Sequence, residues 1–196
     1  MKAVAKPKSR FDLKLRSIAS GQEPLDMTLF DWAREELGAT VNELFGQTEI
    51  NSVVGGCCSL FPPKPGAMGR AYPGHQVALL DEAGLPVTEG EMGEICVARS
   101  CMGQADPAFL LEYWKNPEAT LNKHFGAGEG AWWRTGDLAK QDADGYFWYQ
   151  SRAEEVVNSS SCRFGPGEVG KRLQEETPDP LKRALPPISD PGRQAS

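Results

Sequence analysis

The segment from Leu13 to Ala19 begins with alternating apolar and polar positions, the period of a half-buried strand. A loop follows from Ser20 to Pro24, and the spacing then becomes helical. Leu29, Trp32, Ala33 and Leu37 fall on one face of a segment from about Met27 to Leu37, with Asp26 placed to cap it and Gly38 to stop it. Thr40 to Phe45 returns to a strand pattern. Strand, loop, helix, strand is a βαβ-like unit, and α/β proteins place ligand sites in the loop after such a second strand.

From Pro62 the pattern changes to short strands and turns. Gln76 to Asp81 and Glu94 to Arg99 read as strands, with a turn at Glu82-Ala83-Gly84. Asn116 caps a short helix that has Pro117 in its first position. Trp132 to Lys140 and Tyr146 to Gln150 form a hairpin closed by Asp144-Gly145. The expected architecture is α/β, with a βαβ unit followed by a small β-barrel or an open, strongly twisted sheet. Residues 1–12 read as a solvated lead-in. After Val169 no period survives, and with prolines at 178, 180, 186, 187 and 191 the tail is expected to be disordered.

Composition narrows the function classes. Gly 21 and Pro 15 supply the turns that many short strands need. With 21 basic and 27 acidic residues the net charge is −6, which argues against a general nucleic-acid binder. The apolar runs are far shorter than the ~20 residues that span a bilayer, so no membrane-crossing helix is expected. Basic and acidic residues follow Met1 to Arg10 where a secretion signal needs an apolar stretch. Five cysteines without a Cys-x-x-Cys pair, and two isolated histidines, exclude a regular zinc cluster and fit reduced thiols in a cytoplasm.

Four clusters carry candidate chemistry, and each also reads as plain structure. Phe45-Gly46-Gln47-Thr48-Glu49 ends a strand with a hydroxyl beside a carboxylate, which suits a phosphate and Mg²⁺, or simply a turn before a cap. Asp137, in Arg134-Thr135-Gly136-Asp137-Leu138, suits a ribose diol, or is a turn aspartate. Arg152, in Ser151 to Val156, reads as a nucleotide contact or a surface ion pair. Ser159 to Pro166, containing Ser160 and Arg163, reads as a small-residue ligand loop or a linker.

In their order, these clusters resemble the adenylate-forming superfamily, in particular AMP-forming acyl-CoA synthetases of the acetate and medium-chain type. The resemblance rests on Gln22-Glu23-Pro24, Phe45 to Glu49, Lys64 to Gly69, Glu112 to Thr120, Thr135 to Asp137, and Ser151 to Glu155. It runs from about Leu13 to Val169. It implies that residues 1–61 end a large α/β nucleotide-binding subdomain and that 62–150 form a small β-barrel subdomain. Residues 151–169 would then be a hinge to a C-terminal domain, and 170–196 an unrelated tail.

The same resemblance implies roles for individual residues. Gln22, Glu23 and Pro24 would line the adenine pocket, with Phe45 on the base and Gly46 and Gln47 beside the nucleotide. Thr48 would meet the α-phosphate and Glu49 would hold Mg²⁺. Asp137 would bind the ribose hydroxyls and Arg152 the ribose or phosphate. Glu154 would be the hinge acid, Ser160 would lie near the coenzyme A path, and Arg163 near the phosphate. Val53, Val54 and Gly55 would form part of the acyl wall. The implied reaction joins a carboxylic acid to ATP as an acyl-adenylate, which the coenzyme A thiol then attacks.

Several positions depart from the family pattern: Gln22, Ser151 and Ser161 stand where it has glycine, and Glu154 where it has aspartate. The phosphate loop and the C-terminal lysine of the family have no counterpart here. The expectation is therefore an internal portion of such an enzyme, inactive alone. The alternatives are a non-catalytic adenylate-binding stub, an inactive remnant, or another adenylate-forming branch, against which Gln47 weighs.

Overall fold

The computed structural model describes residues 4, 6–21, 25, 27–126, 128–155, 157–159 and 162–164. It divides into two compact units, Met1–Tyr149 and Gln150–Ser196. The expected caps and loops at 22–24 and 26, and the tail beyond 164, lie outside the described residues.

In the first unit a helical turn, α1 (Pro7–Arg10), interrupts the expected lead-in and buries Pro7. Strand β1 (Ser17–Ser20) is shorter than the alternation from Leu13 suggests. The cause lies in its partner, β2 (Thr40–Gln47): Ser17 already pairs with Thr40, so residues before Ser17 extend past the start of β2. Between them α2 (Met27–Trp32) continues as π-helical turns over Ala33–Leu37. Gly38 ends these turns at φ 68°, its N–H returning to the Ala33 carbonyl. β1 and β2 are parallel, completing the βαβ unit. β2 then pairs antiparallel with β3 (Asn51–Gly55), and β3 with β4 (Arg70–Ala71).

A second sheet follows. Its strands are β5 (Val77–Leu80) and β6 (Gly93–Ala98), a small hairpin of β7 (Ser100–Cys101) and β8 (Gln104–Ala105) comes next, and helix α3 (Pro117–Leu121) then leads to β9 (His124–Phe125). Asn116 caps α3 by accepting the Ala119 N–H at 3.1 Å. β10 (Trp132–Gln141) and β11 (Phe147–Arg152) complete the sheet, ordered β11-β10-β6-β5 with β9 on β10. This path is open, so the expected barrel is a curled half-barrel. The fold class is mixed α/β.

One core joins both sheets. Ile50 from the β2–β3 turn and Val53 and Val54 of β3 pack with Leu79, Ile95, Val97, Trp133 and Phe147 from the second sheet. Burying a side chain the size of Phe147, 1% exposed, contributes about 2–3 kcal/mol. Phe147 also stitches the backbone together: its N–H donates to the Gly69 carbonyl at 2.8 Å and its carbonyl accepts the Met68 N–H at 2.9 Å. Gly69 sits at φ 114°, and a Cβ there would meet the Gly55 carbonyl carbon at 2.0 Å, so only glycine fits.

Between β10 and β11 the Asp142 N–H donates to the Tyr146 carbonyl at 3.0 Å, which leaves a three-residue loop, Ala143 to Gly145, rather than a two-residue Asp-Gly turn. Asp142 closes it, its carboxylate accepting the N–H groups of Asp144 and Tyr146, with Gly145 at φ 82°. Lys64 Nζ reaches Asp142 at 2.8 Å and Asp144 at 2.7 Å, and lies 4.3 Å from the Tyr146 ring centroid. Across the sheet His75 Nδ1 is hydrogen-bonded to the buried Asp106 carboxylate.

In the second unit, beyond the end of β11, Ala153–Glu155 forms a 3₁₀ turn. It leads to a hairpin of β12 (Val157–Ser159) and β13 (Cys162–Phe164), in which Asn158 pairs with Arg163.

Candidate functional site

The site begins where β2 leaves its sheet. Register shifts between Phe45 and Gly46, so the strand kinks as it enters the turn. A Cβ on Gly46 would fall 1.9 Å from the Asn51 carbonyl oxygen, which fixes glycine at this position. The turn closes through an Ile50 N–H to Gln47 carbonyl bond of 3.1 Å, and Asn51 takes a positive φ of 57°. Thr48 is thereby exposed while Ile50 is pinned in the core. Phe45 packs half-buried against that core.

Gln47 crosses from this turn to β10. Its Nε2 donates to the Thr135 carbonyl at 2.8 Å and to Asp137 Oδ2 at 2.8 Å, using both amide hydrogens. Residues 90 positions apart thus share one hydrogen-bonded cluster.

Thr135-Gly136-Asp137 is a bulge in β10, where register against β6 shifts between Arg134 and Leu138. Gly136 takes φ 76°, a conformation that favours glycine. Its N–H, turned out of the ladder, donates to Glu94 Oε1 at 2.9 Å. Glu94 Oε2 accepts from Arg134 Nη2 at 2.8 Å and Nε at 3.1 Å, and the guanidinium lies 4.3 Å from the Phe125 ring centroid. Thr135 is wholly buried; its hydroxyl donates to the Ile95 carbonyl at 2.7 Å and accepts the Asp137 N–H at 3.1 Å. Asp137, 5% exposed, is thus held through its backbone and its carboxylate.

Glu49 joins a third segment. Tyr113 donates its hydroxyl to Glu49 Oε1 at 2.7 Å, and the Leu110 N–H donates to the Glu49 carbonyl at 2.6 Å. Burial, reinforced by the carboxylate, pushes the Tyr113 phenol up to about 12, so it donates throughout the ordinary pH range. Thr48 and Glu49 together present a hydroxyl and a carboxylate, hard oxygen donors of the kind Mg²⁺ prefers. One carboxylate suffices where substrate phosphates and water complete the shell. Among the described residues no cluster of three or more His, Cys, Asp and Glu could hold a metal by itself.

The expected site residues therefore divide. Phe45, Gly46, Gln47, Thr48, Glu49 and Asp137 occupy two facing segments of the first unit. Arg152 lies in the second unit, where its Nε stands 3.6 Å from Glu154 Oε1. Gln22, Glu23, Pro24 and Ser160 lie outside the described residues, as does the side chain of Arg163.

Other residues of the site escape a reading of the sequence. Glu94, Arg134 and Tyr113 serve the cluster, and Glu43 in β2 is a buried carboxylate accepting the Leu25 N–H at 3.2 Å. Burial pushes the Glu43 carboxyl up, against backbone hydrogen bonds from Leu25 and Gly66. The available signal is the same for both acids: a carboxylate within an apolar strand has to find a donor.

The family model for AMP-binding enzymes matches residues 1–105. An uncharacterized acyl–CoA ligase of Bacillus subtilis, YtcI, is 38% identical over 165 residues, covering 84% of this chain and 29% of that protein. The acetyl-coenzyme A synthetase of the same organism is 30% identical over 168 residues, covering 85% of this chain and 28% of that protein. The anthranilate CoA ligase AuaEII, solved with anthranoyl-AMP, superposes with a TM-score of 0.67 at 26% identity, over 83% of this chain and 29% of that one. The chain thus spans under a third of the length of these relatives.

Proposed function

The chain belongs to the AMP-binding enzyme family, and from that premise we propose that it supplies the nucleotide-holding part of an ATP-dependent acid–CoA ligase. The observation that carries this reading is the Gln47 bridge, which gathers the Phe45 to Glu49 turn and the Thr135 to Asp137 bulge into one cluster. That cluster sets a ribose-binding carboxylate beside a phosphate-and-metal turn.

In the proposed reaction the acid carboxylate attacks the α-phosphorus of ATP, giving acyl-adenylate and pyrophosphate. The coenzyme A thiol then attacks the acyl carbon, giving the thioester and AMP. Asp137 accepts hydrogen bonds from the ribose hydroxyls, and the Phe45 ring meets the adenine face. Thr48 donates its hydroxyl to the α-phosphate. Glu49, oriented by Tyr113, would hold Mg²⁺, whose charge would offset that of the phosphates. These groups act by positioning and by preorganised electrostatics, which require that the side chains be fixed before substrate arrives. The network around Asp137 supplies that fixation.

Beyond this cluster, we assign the adenine-lining role to Gln22, Glu23 and Pro24 and the ribose or phosphate contact to Arg152. Glu154 is the hinge acid, Ser160 borders the coenzyme A path, and Arg163 serves the phosphate. Residues 1–61, 62–150 and 151–169 correspond in this reading to the end of a large subdomain, a small subdomain and a hinge. The cysteines at 57, 58, 96 and 101 are free thiols, which supports a reducing compartment such as the cytoplasm.

The test is isothermal titration of AMP into the purified chain and into Asp137→Ala. Saturable one-to-one binding that weakens at least about tenfold in the variant, about 1.4 kcal/mol, is expected. Equal affinity in both proteins would overturn the assignment of Asp137.

A further inference from the structure

We propose that Glu94 is the positioning residue for the ribose contact, holding the bulge that aims Asp137; this rests on the nucleotide-binding reading above. Glu94 is 7% exposed and stands at the start of β6, whose other residues are also buried. A carboxylate there has to be fully hydrogen-bonded to be tolerated. Its two oxygens are divided between two tasks. Oε1 takes the Gly136 N–H at 2.9 Å, and Oε2 takes Arg134 at 2.8 and 3.1 Å.

The first contact matters because of what a bulge does to a ladder. Between Arg134 and Leu138 the β10–β6 register breaks, so the Gly136 N–H has no strand carbonyl opposite it. Glu94 supplies the missing acceptor, and with Gly136 held at φ 76° the next residue, Asp137, is set toward Gln47. The second contact orients the carboxylate. Arg134 precedes the bulge on the same strand, so its two bonds hold Oε2 against β10 and, with the Gly136 bond at Oε1, fix the plane of the Glu94 carboxylate. Thr135 secures the inner side of the same bulge through Ile95, the neighbour of Glu94. Adjacent residues of β6 therefore hold adjacent residues of the Thr-Gly-Asp turn, one by side chain and one by main chain.

Glu94 acts through Asp137, and its effect should follow the ribose hydroxyls alone. Glu94→Gln keeps an oxygen for the Gly136 N–H but turns an NH₂ group toward the Arg134 guanidinium, loosening the clamp. Should that protein fail to fold, Arg134→Met breaks the same clamp from its more exposed partner. The measurement is the affinity of wild type and variant for AMP and for 2′,3′-dideoxy-AMP. Wild type is expected to prefer AMP by at least about tenfold, the discrimination of a charged hydrogen-bonding site against a missing hydroxyl. In the variants that ratio should fall toward one, chiefly through weaker AMP binding, with dideoxy-AMP affinity nearly unchanged. An undiminished ratio in both variants, or parallel losses for both nucleotides, would overturn the positioning role while leaving the nucleotide-binding reading intact. Wild type that binds neither nucleotide, or both alike, would overturn the underlying reading and the proposal with it.

Discussion

Gln47 spends both amide hydrogens on groups of β10, so in the proposed site it acts through Asp137 Oδ2 and the bulge carbonyl that it holds. Gln47→Ala removes two hydrogen bonds worth about 1 kcal/mol each and should weaken AMP binding roughly tenfold in a titration. Gly46 is a harsher case. Gly46→Ala forces a methyl group to within 1.9 Å of the Asn51 carbonyl oxygen, so the turn has to move. A loss of about 3 kcal/mol or more is expected from chemical unfolding. Unchanged stability in that variant would show the turn to be softer than its packing implies.

These residues also show how far the sequence reading reaches. Gly46, Gln47, Thr48, Glu49 and Asp137 stand out as short motifs because the chemistry of each is local. Their partners do not. Glu94 faces Gly136 only because β6 and β10 pair across a break in register, and Tyr113 meets Glu49 only because the loop before α3 folds back over the turn. Such pairings join residues 40 to 90 positions apart, and no spacing rule connects them.

At the level of elements, the strands and helices that the hydrophobic period marks are present and their ends follow their neighbours, while β3, β4 and β7 to β9 form where no period marks a strand. β1 begins late because β2 offers it no earlier partner, and the helix after Met27 finishes in π-helical turns. The β10–β11 hairpin is where the sequence marks a turn, but Asp142 organises it rather than Asp144-Gly145. Burial pushes the Asp142 carboxyl up, yet hydrogen bonds from Lys64, the Tyr146 N–H and the Trp148 indole outweigh it and bring the group down to about 2. A folded-state value below the ordinary 3.8 means that this clamp adds stability above pH 4 and loses it as pH falls from about 4 to about 2. Lys64 is raised, chiefly by its hydrogen bond to Asp142, and its share is lost only in strong alkali. Lys64→Met should therefore lower the neutral-pH midpoint by a few degrees and flatten the acid limb between pH 4 and 2. A variant whose acid limb matched wild type would place the acid sensitivity elsewhere.

Considered whole, the chain carries a continuous core and a prepared cluster, yet leaves large apolar side chains in solvent. Leu111 is 85% exposed, Trp114 83% and Leu121 72%. All three lie in or beside the segment that leads from Tyr113 through α3. Exposed apolar side chains of this size favour association. Sedimentation should reveal concentration-dependent association of the purified chain that Trp114→Ser together with Leu111→Ser reduces.

The most direct measurement is thermal unfolding of the purified chain with and without a non-reactive acyl-adenylate analogue, alongside Asp137→Ala. A ligand bound only by the folded state adds about 2.7 kcal/mol at 100 times its dissociation constant, a readily measured shift. A cooperative transition that rises with the analogue in wild type, and stays in place in Asp137→Ala, is the expected result. A transition indifferent to the analogue in both proteins would contradict the assignment of this cluster to adenylate binding.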